Sequence, residues 1–127
     1  MDRLLWIGLG GALGTIARYG LSTWCQQRFG AGFPVGTLAV NAIGSFLLGG
    51  IMHVGSTTDL LSPMVRLALG VGVMGGFTTY STFNYETFRY FQTGAWVTGI
   101  LNVLVTVLGC MVAGLLGFLA AKRFITG

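Results

Sequence analysis

The stretch Gly72-Val73-Met74-Gly75-Gly76-Phe77-Thr78-Thr79-Tyr80-Ser81-Thr82-Phe83 decides how this chain folds. It lies in the middle of an apolar and aromatic run, 63–91, long enough to cross a bilayer. Pro63 suits the first turn of a helix. Adjacent glycines followed by two threonines then predict a helix broken at mid-membrane. A break frees carbonyls from the i→i−4 ladder, and lipid cannot satisfy them. Interrupted helices of this kind build ion sites in which the loosened carbonyls coordinate a small cation. Two copies about a twofold axis would double the carbonyls. A plain flexible kink is the simpler reading of the same residues.

Three further apolar stretches flank this one, about 4–24, 35–54 and 95–121, the last ending at Lys122-Arg123. Each exceeds or approaches the roughly 20 helical residues that span a hydrocarbon core. Long non-alternating runs are helical, because only helices or closed barrels satisfy their backbone in lipid. The expected fold is therefore all-α, a single four-helix transmembrane domain over 1–127 with no room for a second. Composition agrees. Of 127 residues, 54% are hydrophobic and 8% charged, against about 25% charged in soluble domains. The mean hydropathy is +0.79. This excludes a soluble enzyme and a disordered chain, and two cysteines are too few for a disulfide scaffold. The net charge of +4 comes from scattered basic residues, which gives no nucleic-acid surface. The first stretch is too long for a signal peptide and lacks a small-residue cleavage site. Cys25 and Cys110 read as buried small residues rather than redox centres.

With four spans, Arg3, Arg66, Lys122 and Arg123 share one side, and Arg28 and Arg89 the other. Lys/Arg asymmetry sets topology, and this asymmetry is weak. Such a chain can insert both ways up, which opens an antiparallel homodimer. Arg18 lies two-thirds along the first span with no acid in that span. A charge at depth costs at least ~2.5 kcal/mol, so it should face water, a partner or backbone carbonyls. It reads either as an anion-attracting residue in an aqueous vestibule or as an arginine snorkelling to the interface.

Thr37, Asn41 and Ser45 are spaced i, i+4, i+8 and share a helical face, and Thr98, Asn102, Thr106 and Cys110 repeat the pattern in the fourth span. These stripes are either interhelical glue or a polar track, to which neutral donors suit an anion. Tyr80 and Phe83 share a face that Glu86 continues. Ring edges are weakly positive, so a pair turned into a narrow path would tolerate a small anion; core packing is the plainer reading. No carboxylate pair, serine–histidine–acid set or metal-ligand spacing is present, and His53 stands alone. Gly8-Leu9-Gly10-Gly11-Ala12-Leu13-Gly14 lacks the dinucleotide spacing. It reads as a small-xxx-small helix contact between Gly10 and Gly14.

Three segments together carry a resemblance: Gly10-Gly11-Ala12-Leu13-Gly14-Thr15-Ile16-Ala17-Arg18-Tyr19, Pro34-Val35-Gly36-Thr37-Leu38-Ala39-Val40-Asn41, and Gly75-Gly76-Phe77-Thr78-Thr79-Tyr80-Ser81-Thr82-Phe83. The chain resembles the Fluc (CrcB) family of fluoride channels over all four spans. The resemblance implies an antiparallel, dual-topology homodimer in the bacterial inner membrane, multi-pass, with two separate pores that let fluoride leave the cytoplasm passively. It also implies a structural sodium ion at the dimer centre, held by backbone carbonyls of Gly75 and Thr78 from both subunits. The family's pore asparagine falls on Asn41 and its pore aromatics on Tyr80 and Phe83. Ser81 and Thr82 follow as hydroxyl donors, Thr106 lies on the polar track, and Arg18 matches the vestibule arginine. Glu86 falls near a pore mouth. The chain departs from the family at Tyr80, usually phenylalanine, and at Asn102 and Cys110, often hydroxyl residues. A small dual-topology multidrug/proton antiporter is the competing function, but it needs a carboxylate deep in the membrane, where the first span offers Arg18. A structural subunit of a larger membrane complex is a third reading, which leaves the break without a purpose.

Overall fold

The computed structural model describes residues 2–127, which form helices joined by short turns, with no strand among them. The first, α1 (Asp2–Phe29), ends at Gly30, whose φ of +78° lets its amide turn back onto the Gln26 carbonyl at 2.9 Å. Helix α2 spans Val35–Thr57. The next, α3 (Pro63–Leu67), starts as its sequence predicts: Pro63 takes the first turn, and the Ser62 hydroxyl accepts from the Val65 amide at 3.2 Å. It continues through a π-helical stretch, Ala68–Met74, into the short α4 (Gly75–Phe77). There the helix stops. Thr78 and Thr79 are extended, and α5 (Tyr80–Gln92) restarts with Thr79 as its N-cap. After Gly94, at φ +82°, α6 runs over Trp96–Ala121 and is prolonged by π-helical Lys122–Thr126.

Helices α1 and α2, and α6 with its extension, are each long and apolar enough to cross a membrane. The third predicted span comes in two pieces, 63–77 and 80–92, and neither is among the helices long and apolar enough to cross alone. The break between Gly76 and Tyr80 is therefore built into the covalent order of the fold.

Two glycine seams hold the helices together. Gly10 of α1 lies against Ala68, Gly72 and Val73 of the π-helical stretch, Gly14 against Val73 and Phe77, and Gly76 of α4 against Gly11 and Thr15. A methyl on Gly10 would lie 2.6 Å from the Ala68 carbonyl oxygen, and one on Gly76 would lie 2.5 Å from that of Gly11. Only hydrogen fits, so the backbones pack directly. On the other side Gly49 approaches Gly114, and Gly117 approaches the Phe46 carbonyl, so closely that a side chain on either glycine would overlap backbone. Van der Waals contact of this kind drives association where lipid is as apolar as leucine. The residues outside are apolar, among them Leu13, Ile16, Val97, Leu108 and Met111, while Thr37, Thr87, Asn102 and Thr106 are buried. That inside-out distribution belongs to a chain whose solvent is lipid.

Candidate functional site

The site forms around the break, and two other helices supply what the broken ladder lacks. Asn41, about two turns into α2, presents its whole amide to Thr79: Nδ2 donates to the Thr79 carbonyl at 3.0 Å, and Oδ1 accepts from its amide at 2.8 Å. One side chain thus engages both backbone groups of the residue at which the chain leaves the break. Gly44, a turn further on, lies against Thr78 and Phe77, where a larger residue would overlap the Thr78 methyl. From α1, Arg18 donates Nε to the Gly76 carbonyl at 3.0 Å. Of the partners available to a charge at this depth, Arg18 takes a backbone carbonyl freed by the break.

The remaining backbone groups divide by sign. The Thr78 amide and hydroxyl both bond the Met74 carbonyl, at 3.0 and 2.8 Å. The carbonyls of Gly75 and Thr78 receive no hydrogen bond from the described residues. Gly75 lies at the open surface of the protomer, with space where a side chain would be. Beyond the break, the Thr79 hydroxyl accepts from the Thr82 amide at 3.3 Å and caps α5.

A cavity of about 250 Å³ adjoins the break, lined by Asn41, Ser45, Thr78, Thr79, Tyr80, Phe83, Thr106, Val107 and Cys110. It brings together Asn41, Tyr80, Phe83 and Thr106, which the sequence placed on three separate grounds: two polar stripes and an aromatic pair. Its polar groups are amide, hydroxyl and thiol, and no charged side chain lines it. Tyr80 and Phe83 meet edge to face with ring centroids 5.7 Å apart. Their burial differs sharply: Phe83 is 6% exposed, Tyr80 78%.

A second, polar cavity of about 210 Å³ lies towards the other end of α5, with Thr37, Thr82 and Glu86 in its wall. The Thr37 hydroxyl donates to Glu86 Oε1. The two cavities are linked through hydroxyls, since Thr79 of the first donates to Thr82 of the second at 3.2 Å. Ser81 stands beside Thr79 at 3.5 Å and lines neither, and Arg18 also stays outside both. A larger cavity of about 770 Å³, near Arg3 and Arg66, contains none of the predicted site residues.

Sequence reasoning missed one functional contact. Thr87, buried on α5, donates to the Phe83 carbonyl at 2.8 Å and accepts from Asn102 Nδ2 at 2.8 Å, while Asn102 Oδ1 accepts from Thr106 at 3.1 Å. The only available signal was Thr87 standing four residues after Phe83. Among the described residues no group of three or more histidine, cysteine or acidic side chains could hold a metal ion. Any cation here would have to be held by backbone carbonyls or by neutral side-chain oxygens.

Comparison with known proteins is consistent in kind. A family model for CrcB-like proteins, described as camphor resistance (CrcB), matches residues 5–118. A protein of Sorangium cellulosum (strain So ce56) named fluoride-specific ion channel FluC is 62% identical over 127 residues, covering 100% of both chains. Proteins of the same name from Anaeromyxobacter sp. (strain K) and Citrifermentans bemidjiense are 52% and 46% identical, covering 89% and 96% of this chain and 90% and 98% of their own.

Proposed function

Because this chain belongs to the CrcB-like family, we propose that it is a passive fluoride channel that carries fluoride out of the cytoplasm across the bacterial inner membrane. The observation that carries this reading is the cavity beside the break. An anion entering it meets the Asn41 amide, the Ser45 hydroxyl and the aromatic edges of Tyr80 and Phe83, beside the hydroxyl oxygens of Thr79 and Thr106 and with no carboxylate to repel it. Fluoride is small and strongly hydrated, so it enters only where protein donors replace lost water. Neutral donors do this without the binding energy of a fixed positive charge, which would trap the ion. Arg18, committed to the Gly76 carbonyl, contributes positive potential from outside the cavity. Glu86, bonded to Thr37 at the neighbouring cavity, stands where an ion approaches or leaves through Thr82.

The working unit in this reading is an antiparallel homodimer with two pores. Its support is the open face of the break. Gly75, Tyr80, Ser81 and Thr82 are exposed on one protomer, and in a bilayer their backbone needs protein against it, because lipid offers no partner. A second copy inserted the other way up supplies that cover, and the weak charge asymmetry permits it. The undonated carbonyls of Gly75 and Thr78 suit a sodium ion: hard oxygens, free of competing donors, doubled by a twofold axis. When bound, the ion would neutralise carbonyl dipoles at the centre of the pair.

Efflux from proteoliposomes tests the reading, with chloride and a lipophilic cation as controls. Fluoride leaving on its own, without chloride and without a proton requirement, supports the channel. Exchange of the cation for protons would select an antiporter, and absence of flux a structural subunit.

A further inference from the structure

Resting on the fluoride reading, we propose that Asn102 is a positioning residue whose side-chain amide switches between two hydrogen-bond polarities, deciding whether Thr106 offers the cavity a lone pair or a proton. Asn102 is 1% exposed and sits between Thr87 and Thr106 in an unbroken hydrogen-bonded chain. Its polarity is fixed from one end. The Phe83 carbonyl can only accept, so the Thr87 hydroxyl must donate to it. Thr87 therefore accepts from Asn102, through Nδ2. That leaves Oδ1 facing Thr106, whose proton it takes. In this state the only proton of Thr106 points away from the cavity it lines, and the oxygen presents lone pairs to anything inside. An anion is disfavoured there.

The same atoms support the opposite order. The Phe83 carbonyl also lies at the i−4 position of the Thr87 amide within α5, so it is not orphaned if the Thr87 hydroxyl leaves. Rotating the Asn102 amide by half a turn exchanges Nδ2 and Oδ1 with almost no change of shape, about a torsion that is broad and roughly two-fold. The Thr87 hydroxyl then donates to Oδ1, and Nδ2 donates to the Thr106 oxygen. The Thr106 proton is released to point into the cavity, where it can donate to fluoride. Every proton stays on its own heavy atom throughout, so the switch moves no charge and couples to no proton gradient. It exchanges the Thr87–Phe83 bond for a charge-assisted bond to the anion, which is stronger. A hydroxyl at position 102 could rotate freely and would couple its two neighbours loosely. An amide, with one end donor and the other acceptor, ties them together.

The test is solution NMR of the full-length protein, labelled at asparagine side chains with nitrogen-15, in lipid nanodiscs, titrated with sodium fluoride and with sodium chloride as control. Asn41, Asn84 and Asn102 give three side-chain amides, and Asn102→Asp assigns the one that matters. Saturable fluoride-dependent shifts of the Asn102 amide protons, without a chloride response, are expected in the wild type. They should persist in Thr106→Ser and vanish in Thr106→Val. Proteoliposome flux should fall at least tenfold in Thr106→Val and recover in Thr106→Ser. A purely structural bridge would leave the amide signals unmoved by fluoride. The proposal is overturned if the Asn102 signals stay fixed while wild-type liposomes conduct, or if they still respond in Thr106→Val. Wild-type liposomes that do not conduct fluoride would remove the channel reading itself, and the switch with it; the wild-type titration decides even if a variant fails to fold.

Discussion

Replacing Asn41 with leucine removes the clamp that holds the break open while keeping the branched skeleton of the side chain. Asn41 makes two bonds to Thr79, at 3.0 and 2.8 Å. Two magnitudes compete in setting the cost. A side-chain bond between membrane helices averages only about 0.6 kcal/mol, because the unfolded chain in lipid finds other partners. A buried backbone group left without a partner costs about 1–3 kcal/mol. The second effect governs for the Thr79 N–H, which lies outside the ladder at the N-cap, whereas its C=O faces into α5 and keeps a helical partner. Both residues are half-buried, so some water relieves the loss and the upper end is not reached. We expect Asn41→Leu to lose about 1–2 kcal/mol, a fall of roughly 5- to 30-fold in the ratio of folded to unfolded protein. Equilibrium unfolding in mixed maltoside–SDS micelles, followed by tryptophan fluorescence, measures it. Ser45→Ala is the control: it lines the same cavity but makes no bond to the break. If Asn41→Leu unfolds within about 0.5 kcal/mol of wild type, the range of an inconsequential surface change, the amide does not hold the break and the construction of the site is wrong.

The Tyr80 hydroxyl adds a donor to a path that should hold its ion weakly, so Tyr80→Phe should raise fluoride efflux severalfold while leaving selectivity over chloride intact; equal or slower flux would contradict this. Gly76→Ala sets a methyl 2.5 Å from the Gly11 carbonyl oxygen and 3.1 Å from the Thr15 amide, so the α1 seam must open. A loss of about 1–3 kcal/mol is expected in the same unfolding assay. Cys110 lines the cavity, whereas Cys25 is buried at 3% exposure. A small methanethiosulfonate should therefore block efflux by modifying Cys110, with Cys110→Ser resistant and mass spectrometry finding Cys25 unlabelled in the folded protein.

The spans were legible because length and apolarity are properties of the chain alone, and the break was legible because Gly75-Gly76 followed by Thr78-Thr79 is a local conflict with helix. The start of α3 was legible for the same reason: Pro63 suits a first turn, and the helix begins there. Features that depend on a second helix were not. The π-helical widening at Ala68–Met74 lies where α1 presses Gly10 and Gly14 onto the backbone, and nothing local in Ala-Leu-Gly-Val-Gly-Val-Met demands it. Arg18 announced a need for a partner, but the choice of the Gly76 carbonyl follows from how α1 crosses α4. Glu86 and Thr37 lie far apart in the chain, as do Asn102 and Thr87, and their pairings exist only after the helices pack. The stripes on α2 and α6 were visible as stripes. That Asn41 serves the break while Asn102 serves a hydroxyl chain was not, because identical side chains at similar places in two helices meet different neighbours.

The central claim is that an anion crosses here on uncharged donors and ring edges, coupled to nothing. The reversal potential of the purified protein in planar bilayers, measured under separate gradients of fluoride, chloride and protons, tests it most directly. We expect the potential to follow the fluoride gradient alone and to ignore the other two. A reversal potential that moves with the proton or chloride gradient would contradict the claim.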